Sequence, residues 1–272
     1  MVWFEIILVT LTLLTGTIWL LDKLFLAKRR AKADGLLDEG KEPAAVDYSR
    51  AFFPVLAVVL ILRTFVAEPF RIPSSSMMPT LLIGDFILVN KYAYGLRLPI
   101  TNQKIVEIGE PKRGDVVVFR YPGKGPDDPN LGLDYIKRII GLPGDTVAYR
   151  DNQLTINGQL VKYAPVGEYV GKGPGEEMTG ATELTEQLPG RTHSVLEITN
   201  IPGIDQGEGE WTVPEGQYLV LGDNRDRSED GRFWGMLPEN RLRGRAFVIW
   251  LNCSNWLCKD SFDTSRIGKS IQ

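Results

Sequence analysis

The sequence predicts a mostly β fold: a coiled-sheet or barrel-like catalytic-type domain with an inserted β-rich subdomain, preceded by two transmembrane helices. Three observations carry that expectation. Apolar residues are concentrated before residue 70, in two long stretches. After residue 68 the chain turns to short β-branched and aromatic runs broken by Gly, Pro, Asn and Asp. A Gly/Pro/Glu-rich block, 151–212, then interrupts those runs.

The first stretch, residues 2 to 21, is apolar or Thr/Gly throughout apart from Glu5. About twenty helical residues rising about 1.5 Å each cross a hydrocarbon core of roughly 30 Å, so a span is expected within 1–27. A cleavable signal peptide would carry a basic leading region and a shorter apolar core, whereas no Lys or Arg precedes this stretch. The second span, 51–67, is marginal in length, and Arg63 near its far end can reach the interface with its long side chain. Between the spans, 28–50 holds Lys28, Arg29, Arg30, Lys32, Lys41 and Arg50. Basic residues mark the cytoplasmic side of a span. The loop is therefore expected in the cytoplasm, with the N-terminus and everything after residue 67 on the outer side, which is the periplasm of a cell with two membranes.

Strands are expected at Asp85 to Val89, Asp115 to Phe119, Tyr135 to Ile140, Thr146 to Tyr149, Leu154 to Ile156, Tyr218 to Leu221 and Ala246 to Trp250. No long helical period separates them, which argues against a nucleotide-binding α/β pattern. The domain divides into core segments 68–150 and 213–252, the insertion 151–212 and a C-terminal tail, 253–272. The insertion opens on a hairpin signal at Asn157-Gly158.

A formal net charge of −3 and the lack of any long basic run exclude a nucleic-acid footprint. With two cysteines, Cys253 and Cys258, and one histidine, His193, the chain cannot build a Cys/His zinc site. Any Ser-His-Asp chemistry would have to use His193, whose turn-rich polar neighbourhood reads as surface.

Three segments could carry other chemistry. Pro73-Ser74-Ser75-Ser76-Met77-Met78-Pro79 crowds hydroxyls between prolines just past the second span; alone it reads as a turn or linker rather than as a nucleophile loop. In Asp134-Tyr135-Ile136-Lys137-Arg138, strand alternation puts Lys137 on one face with Tyr135 and Ile139. An amine desolvated there loses its proton near neutral pH and becomes a base, whereas an edge-strand lysine would only discourage aggregation. Gly222 to Arg232 is dense in charge; it is either a solvated turn or a brace, with Ser228 bonded to an active-site amine and Asp230 paired with Arg232.

Together these segments resemble the bacterial type I signal peptidases of the two-span branch. Four blocks carry the resemblance: Ile72 to Thr80; Gly84-Asp85 with its strand; Asp134 to Arg138 running into Gly141-Leu142-Pro143-Gly144-Asp145; and Gly222 to Arg232. The resemblance implies a Ser-Lys protease in which Ser76 attacks and Lys137 is the base. It further implies an oxyanion hole from the Ser74 hydroxyl and the Ser76 N–H, support from Ser228, Asp230 and Arg232, and small apolar pockets lined by Phe70, Ile72, Ile87 and Ile136 for an Ala-x-Ala sequence. By the same resemblance the partners are signal-peptide-bearing preproteins, membrane lipids and a nearby secretion translocon. The location is the bacterial inner membrane, and no cofactor or metal is expected. Three departures from the family pattern stand out: Ser75 for glycine, Arg227 for asparagine and Gly231 for serine. Cys253 and Cys258 read equally as a disulfide or as two buried thiols, and Trp250, Trp256 and Phe262 as interfacial or core aromatics. Rival readings are a tethered domain that only binds a partner, a self-cleaving repressor, which the two spans oppose, and a specialised processing peptidase serving one pilus or conjugation substrate.

Overall fold

The computed structural model describes residues 2–28, 30, 42–198, 206–253 and 263–272. Trp256, Phe262 and Cys258 lie outside the described residues. The chain divides into two compact units, one of Met1–Ala67 with Arg97–Ile105 and one of Glu68–Leu96 with Val106–Gln272.

In the first unit the helix Val2–Leu21 is prolonged by a wider π turn, Asp22–Leu26, and the helix Ala44–Ile61 by another, Leu62–Val66. The second helix begins at Ala44 rather than at Ala51. Hydropathy hides its first turns because Asp47, Tyr48, Ser49 and Arg50 are not apolar, yet none of them breaks a helix. The proline just before the helix, Pro43, accepts from the Val46 and Asp47 amides through its carbonyl, and Arg50 pairs with Glu42 at 2.9 Å. With those turns the apolar helix spans Ala44–Val66, 23 residues, or about 35 Å at about 1.5 Å each, so its length is no longer marginal. The two helices pack closely at Gly16, where a β-carbon would stand 2.6 Å from the Phe53 ring. Glu5, the lone acid of the first stretch, accepts from the Ile100 amide at 2.9 Å.

The second unit is mostly β, as expected. Its main sheet has seven strands in the order Ala67–Arg71, Asp85–Asn90, Leu242–Asn252, Val116–Arg120, Asp134–Gly141, Gln217–Leu221 and Leu237–Pro238. Neighbours pair antiparallel from Asp85–Asn90 onward. Among the described residues the sheet is open, its order ending at Ala67–Arg71 on one side and Leu237–Pro238 on the other. Its long strand, Leu242–Asn252, bends through several register shifts. At one of them Gly244 has φ 154° and lies so near Asn90 that a β-carbon would meet its carbonyl oxygen at 2.3 Å.

Alternation along Val116–Arg120 fills both faces. Val116 and Val118 join Phe70, Ile72, Ile87 and Ile136 in one core, and Val117 and Phe119 join Ile139, Val220 and Leu242 in another. The inserted block is β-rich. Lys162–Glu168, Thr182–Leu188 and Arg191–Glu197 form a three-stranded sheet. Gln153–Ile156 and Gly209–Thr212 flank Thr146–Arg150, so the insertion is hydrogen-bonded into the strand that precedes it. Asn157 and Gly158, both at positive φ, turn the expected hairpin. Cys253 is fully buried and disulfide-bonded.

Candidate active site

Strand pairing places Lys137. It lies opposite Val117, with Tyr135 opposite Phe119, so these side chains share the face predicted from alternation. Lys137 is 4% exposed, and its Nζ stands 5.8 Å from the centre of the Tyr135 ring. The serine loop is anchored by Met77 and Met78, both fully buried, and Ser76 itself is buried. Across 61 positions of sequence, Lys137 Nζ and Ser76 Oγ meet at 2.7 Å. Ser74 Oγ lies 3.5 Å from Ser76 Oγ.

Burial pushes the Lys137 amine down to about 8, against the opposing pull of the Asp230, Asp223 and Glu229 carboxylates. A hydroxyl in hydrogen-bond contact with an amine that is partly neutral near pH 8 can pass its proton to that amine. Both open onto a groove of about 370 Å³, bordered by Pro73, Leu133, Tyr135, Arg227 and Glu229.

The loop after strand Gln217–Leu221 supports this pair from behind. Asn224 ties it to the serine loop twice: its amide donates to the Ser76 carbonyl at 3.1 Å and its Nδ2 to the Ser75 carbonyl at 3.1 Å. Asp230 and Arg232 pair as expected, Arg232 Nε donating to Asp230 Oδ1 at 2.9 Å, while Asp230 Oδ2 accepts from the Gly222 amide at 2.9 Å. Ser228 is buried beside Ser76: a β-carbon on Gly222 would stand 2.1 Å from Ser228 Oγ and 2.5 Å from the Ser76 carbonyl oxygen. The Ser228 hydroxyl has no hydrogen-bond partner among the described residues, so the expected bond to the Lys137 amine is not formed here. Phe70, Ile72, Ile87 and Ile136 meet in a single buried cluster, each at most 7% exposed, and Ile136 also reaches the groove.

Several supporting residues escaped the sequence reading. Arg138 grips Asp223 with two parallel bonds, Nε to Oδ1 at 2.8 Å and Nη2 to Oδ2 at 2.7 Å, and the Thr80 hydroxyl donates to Asp223 at 2.5 Å. Arg225 donates to Glu186 at 2.6 Å and to the Tyr163 hydroxyl at 3.1 Å, which links the inserted sheet to the loop. Asp223 and Arg225 were signalled by the charge density of the loop, and Thr80 and Arg138 only by lying in the segments that carry the resemblance. His193 corrects the surface reading. Alternation along Arg191–Glu197 turns it inward, where its Nε2 lies 3.3 Å from Glu186 and 3.6 Å from Asp223; burial lowers it to about 4, so it is neutral. Among the described residues no group of three or more His, Cys, Asp or Glu side chains is placed to hold a metal ion.

The family model described as "Signal peptidase, peptidase S26" matches residues 45–251, a range that contains every one of these groups. The chain belongs to that family. It is 40% identical to the signal peptidase I of Pseudomonas aeruginosa, over 97% of this chain and 98% of that protein. The signal peptidase I of Pseudomonas fluorescens is 42% identical over the same shares. That of Haemophilus influenzae is 37% identical, over 92% of this chain and 86% of the relative. In this member of the peptidase S26 family, then, the matched segment runs from the second apolar helix to the end of the long strand that closes on Asp85–Asn90.

Proposed function

We propose that this membrane-anchored signal peptidase removes signal peptides from exported preproteins after Ala-x-Ala sites, using Ser76 and Lys137 as a dyad. The single observation that carries the dyad is the 2.7 Å contact between a buried amine and a buried hydroxyl at the floor of a groove. Removal of signal peptides itself follows from membership of the family.

Neutral Lys137 takes the Ser76 proton as Oγ attacks the scissile carbonyl. The developing oxyanion is held by the Ser74 hydroxyl and the Ser76 N–H, donors of a kind whose loss typically costs about 10²–10³ in turnover. Collapse breaks the C–N bond, Lys137 returns the proton to the leaving amine, and the signal peptide stays on Ser76 as an ester. Water, deprotonated by the same amine, then releases it. Ser228, a buried hydroxyl free to rotate, steadies Lys137 once the amine turns from Ser76. Small side chains on the acyl side enter the apolar region of Phe70, Ile72, Ile87 and Ile136, of which Ile136 borders the groove. The insertion 151–212 serves as support for the catalytic core formed by 68–150 and 213–252, through Glu186 and Tyr163.

The basic loop between the spans supports a cytoplasmic location for 28–50, with the N-terminus and the core on the periplasmic face of the inner membrane, near the secretion translocon and in contact with lipid. Detergent-solubilised protein is expected to cleave a precursor after Ala-x-Ala, with Ser76→Ala and Lys137→Met both inactive. Full turnover by either variant would end the dyad assignment.

A further inference from the structure

The groove that holds the dyad is rimmed by three charged side chains besides Lys137, and two of them are already neutralised. Asp134 lies 3.7 Å from Arg243, and Glu229 pairs with Lys124 at 2.6 Å. Arg227 is different: exposed, at the groove, it has no ion-pair partner among the described residues.

Its backbone is hydrogen-bonded in place although its side chain is exposed. The Arg227 amide donates to the Asn224 carbonyl at 3.1 Å. Its neighbour Asp226 accepts from the Ile198 amide at 2.6 Å, and Arg225 and Ser228 on either side are buried. A positive charge is thus presented to the groove from a fixed mount.

The side of the scissile bond that it faces follows from the proton path, and so rests on the proposed dyad. Lys137 must return its proton to the leaving amine, so the leaving chain lies on the side of the groove next to Nζ. That side is bounded by the loop from Gly222 to Arg232, whose Asp230 and Glu229 carboxylates act on the Lys137 amine, and Arg227 precedes Glu229 by two residues and lines the same groove. The acyl side lies toward Ile136, which points to the opposite face of its strand from Lys137.

We infer that Arg227 is a specificity-determining residue for the leaving side of the substrate, favouring acidic side chains in the first two positions of the mature protein and disfavouring basic ones. An exposed pair is a modest effect, about two- to fivefold in kcat/KM for one attraction. The contrast between acidic and basic substrates combines attraction with repulsion and should reach about fivefold or more. Screening shrinks it, because a Debye length of about 10 Å at 0.1 M salt falls to about 3 Å at 1 M.

The test is a set of three peptides sharing one Ala-x-Ala signal and differing only in Asp-Asp, Ala-Ala or Lys-Lys after the bond. They are to be compared by kcat/KM on the full detergent-solubilised chain, on Arg227→Gln and on Arg227→Glu, with Ser76→Ala as blank. The ratio between peptides does not depend on the fraction of enzyme folded. Expected is an Asp-Asp preference of about fivefold or more over Lys-Lys in the wild type. It should collapse toward unity in Arg227→Gln, reverse in Arg227→Glu and shrink in 1 M NaCl. Equal ratios in wild type and both variants would overturn the inference while leaving the dyad intact. Cleavage of none of the peptides by the wild type, or undiminished cleavage by Ser76→Ala, would instead overturn the reading on which it rests.

Discussion

Gly222→Ala is the sharpest test of how the site is assembled, because it adds one methyl group and removes nothing. A β-carbon at this position would stand 2.5 Å from the Ser76 carbonyl oxygen, 2.5 Å from Ser228 Cβ and 2.1 Å from Ser228 Oγ. The hydroxyl can rotate away, but the other two atoms move only with their backbones. Restoring ordinary contact of 3.4 Å demands about 0.9 Å of separation between the Gly222 loop and the serine loop. Asn224 resists that movement, since its amide and its Nδ2 hold the Ser76 and Ser75 carbonyls. Overpacking of this sort typically costs about 1–3 kcal/mol, which a folded domain survives. A misplacement near 1 Å between a nucleophile and its base costs about 10²-fold in rate. The variant is therefore expected to fold, with a small loss of Tm, and to lose about two orders of magnitude in kcat on a peptide carrying an Ala-x-Ala site. Single-turnover acylation and differential scanning calorimetry on the same preparation separate the two effects. Activity within threefold of wild type would refute the claim that close approach of these loops sets the dyad geometry.

Other outcomes follow from the same contacts. Activity should fall roughly tenfold per pH unit below about 8, because only the neutral Lys137 amine accepts a proton and burial lowers it to about 8; a flat kcat/KM profile from pH 6 to 9 would contradict this. The folded state binds the Lys137 proton less tightly than the unfolded chain does, so wild-type stability rises with pH between about 8 and the ordinary lysine value of 10.5. Lys137→Met should accordingly be the more stable protein at pH 7, by up to about 3 kcal/mol, with the advantage fading as pH rises through that window; denaturant titrations at pH 7 and pH 10 measure both values. Asp223→Asn strands the buried Arg138 guanidinium and is expected to cost about 3–5 kcal/mol, whereas Asp223→Leu combined with Arg138→Met should recover most of it in the same titrations.

How much of this was legible in advance varies with how local the signal is. The strand runs at Asp85, Val116, Tyr135, Thr146 and Tyr218 were readable because alternation and β-branched composition are properties of a few adjacent residues. The hairpin at Asn157-Gly158 was readable for the same reason, since positive φ is affordable there. The start of the second helix was not, because hydropathy reports where lipid-compatible residues lie and not where hydrogen bonding begins. His193 misled because its polar neighbours in sequence are not its neighbours in space: cross-strand pairing sets it beside Glu186, and the fold brings Asp223 near.

By itself the sequence determined two apolar segments, the second marginal in length, and a β-rich remainder, while Ser76 and Lys137 were named through a family resemblance. Tertiary structure alone decided that those two stand 2.7 Å apart, that the lysine is dry enough to lose its proton near pH 8, and that Gly222, Asn224 and the Arg138–Asp223 pair hold them there. The division has a physical cause. Propensity and hydropathy act within a few residues along the chain, whereas desolvation and antiparallel pairing are sums over groups that only folding brings together.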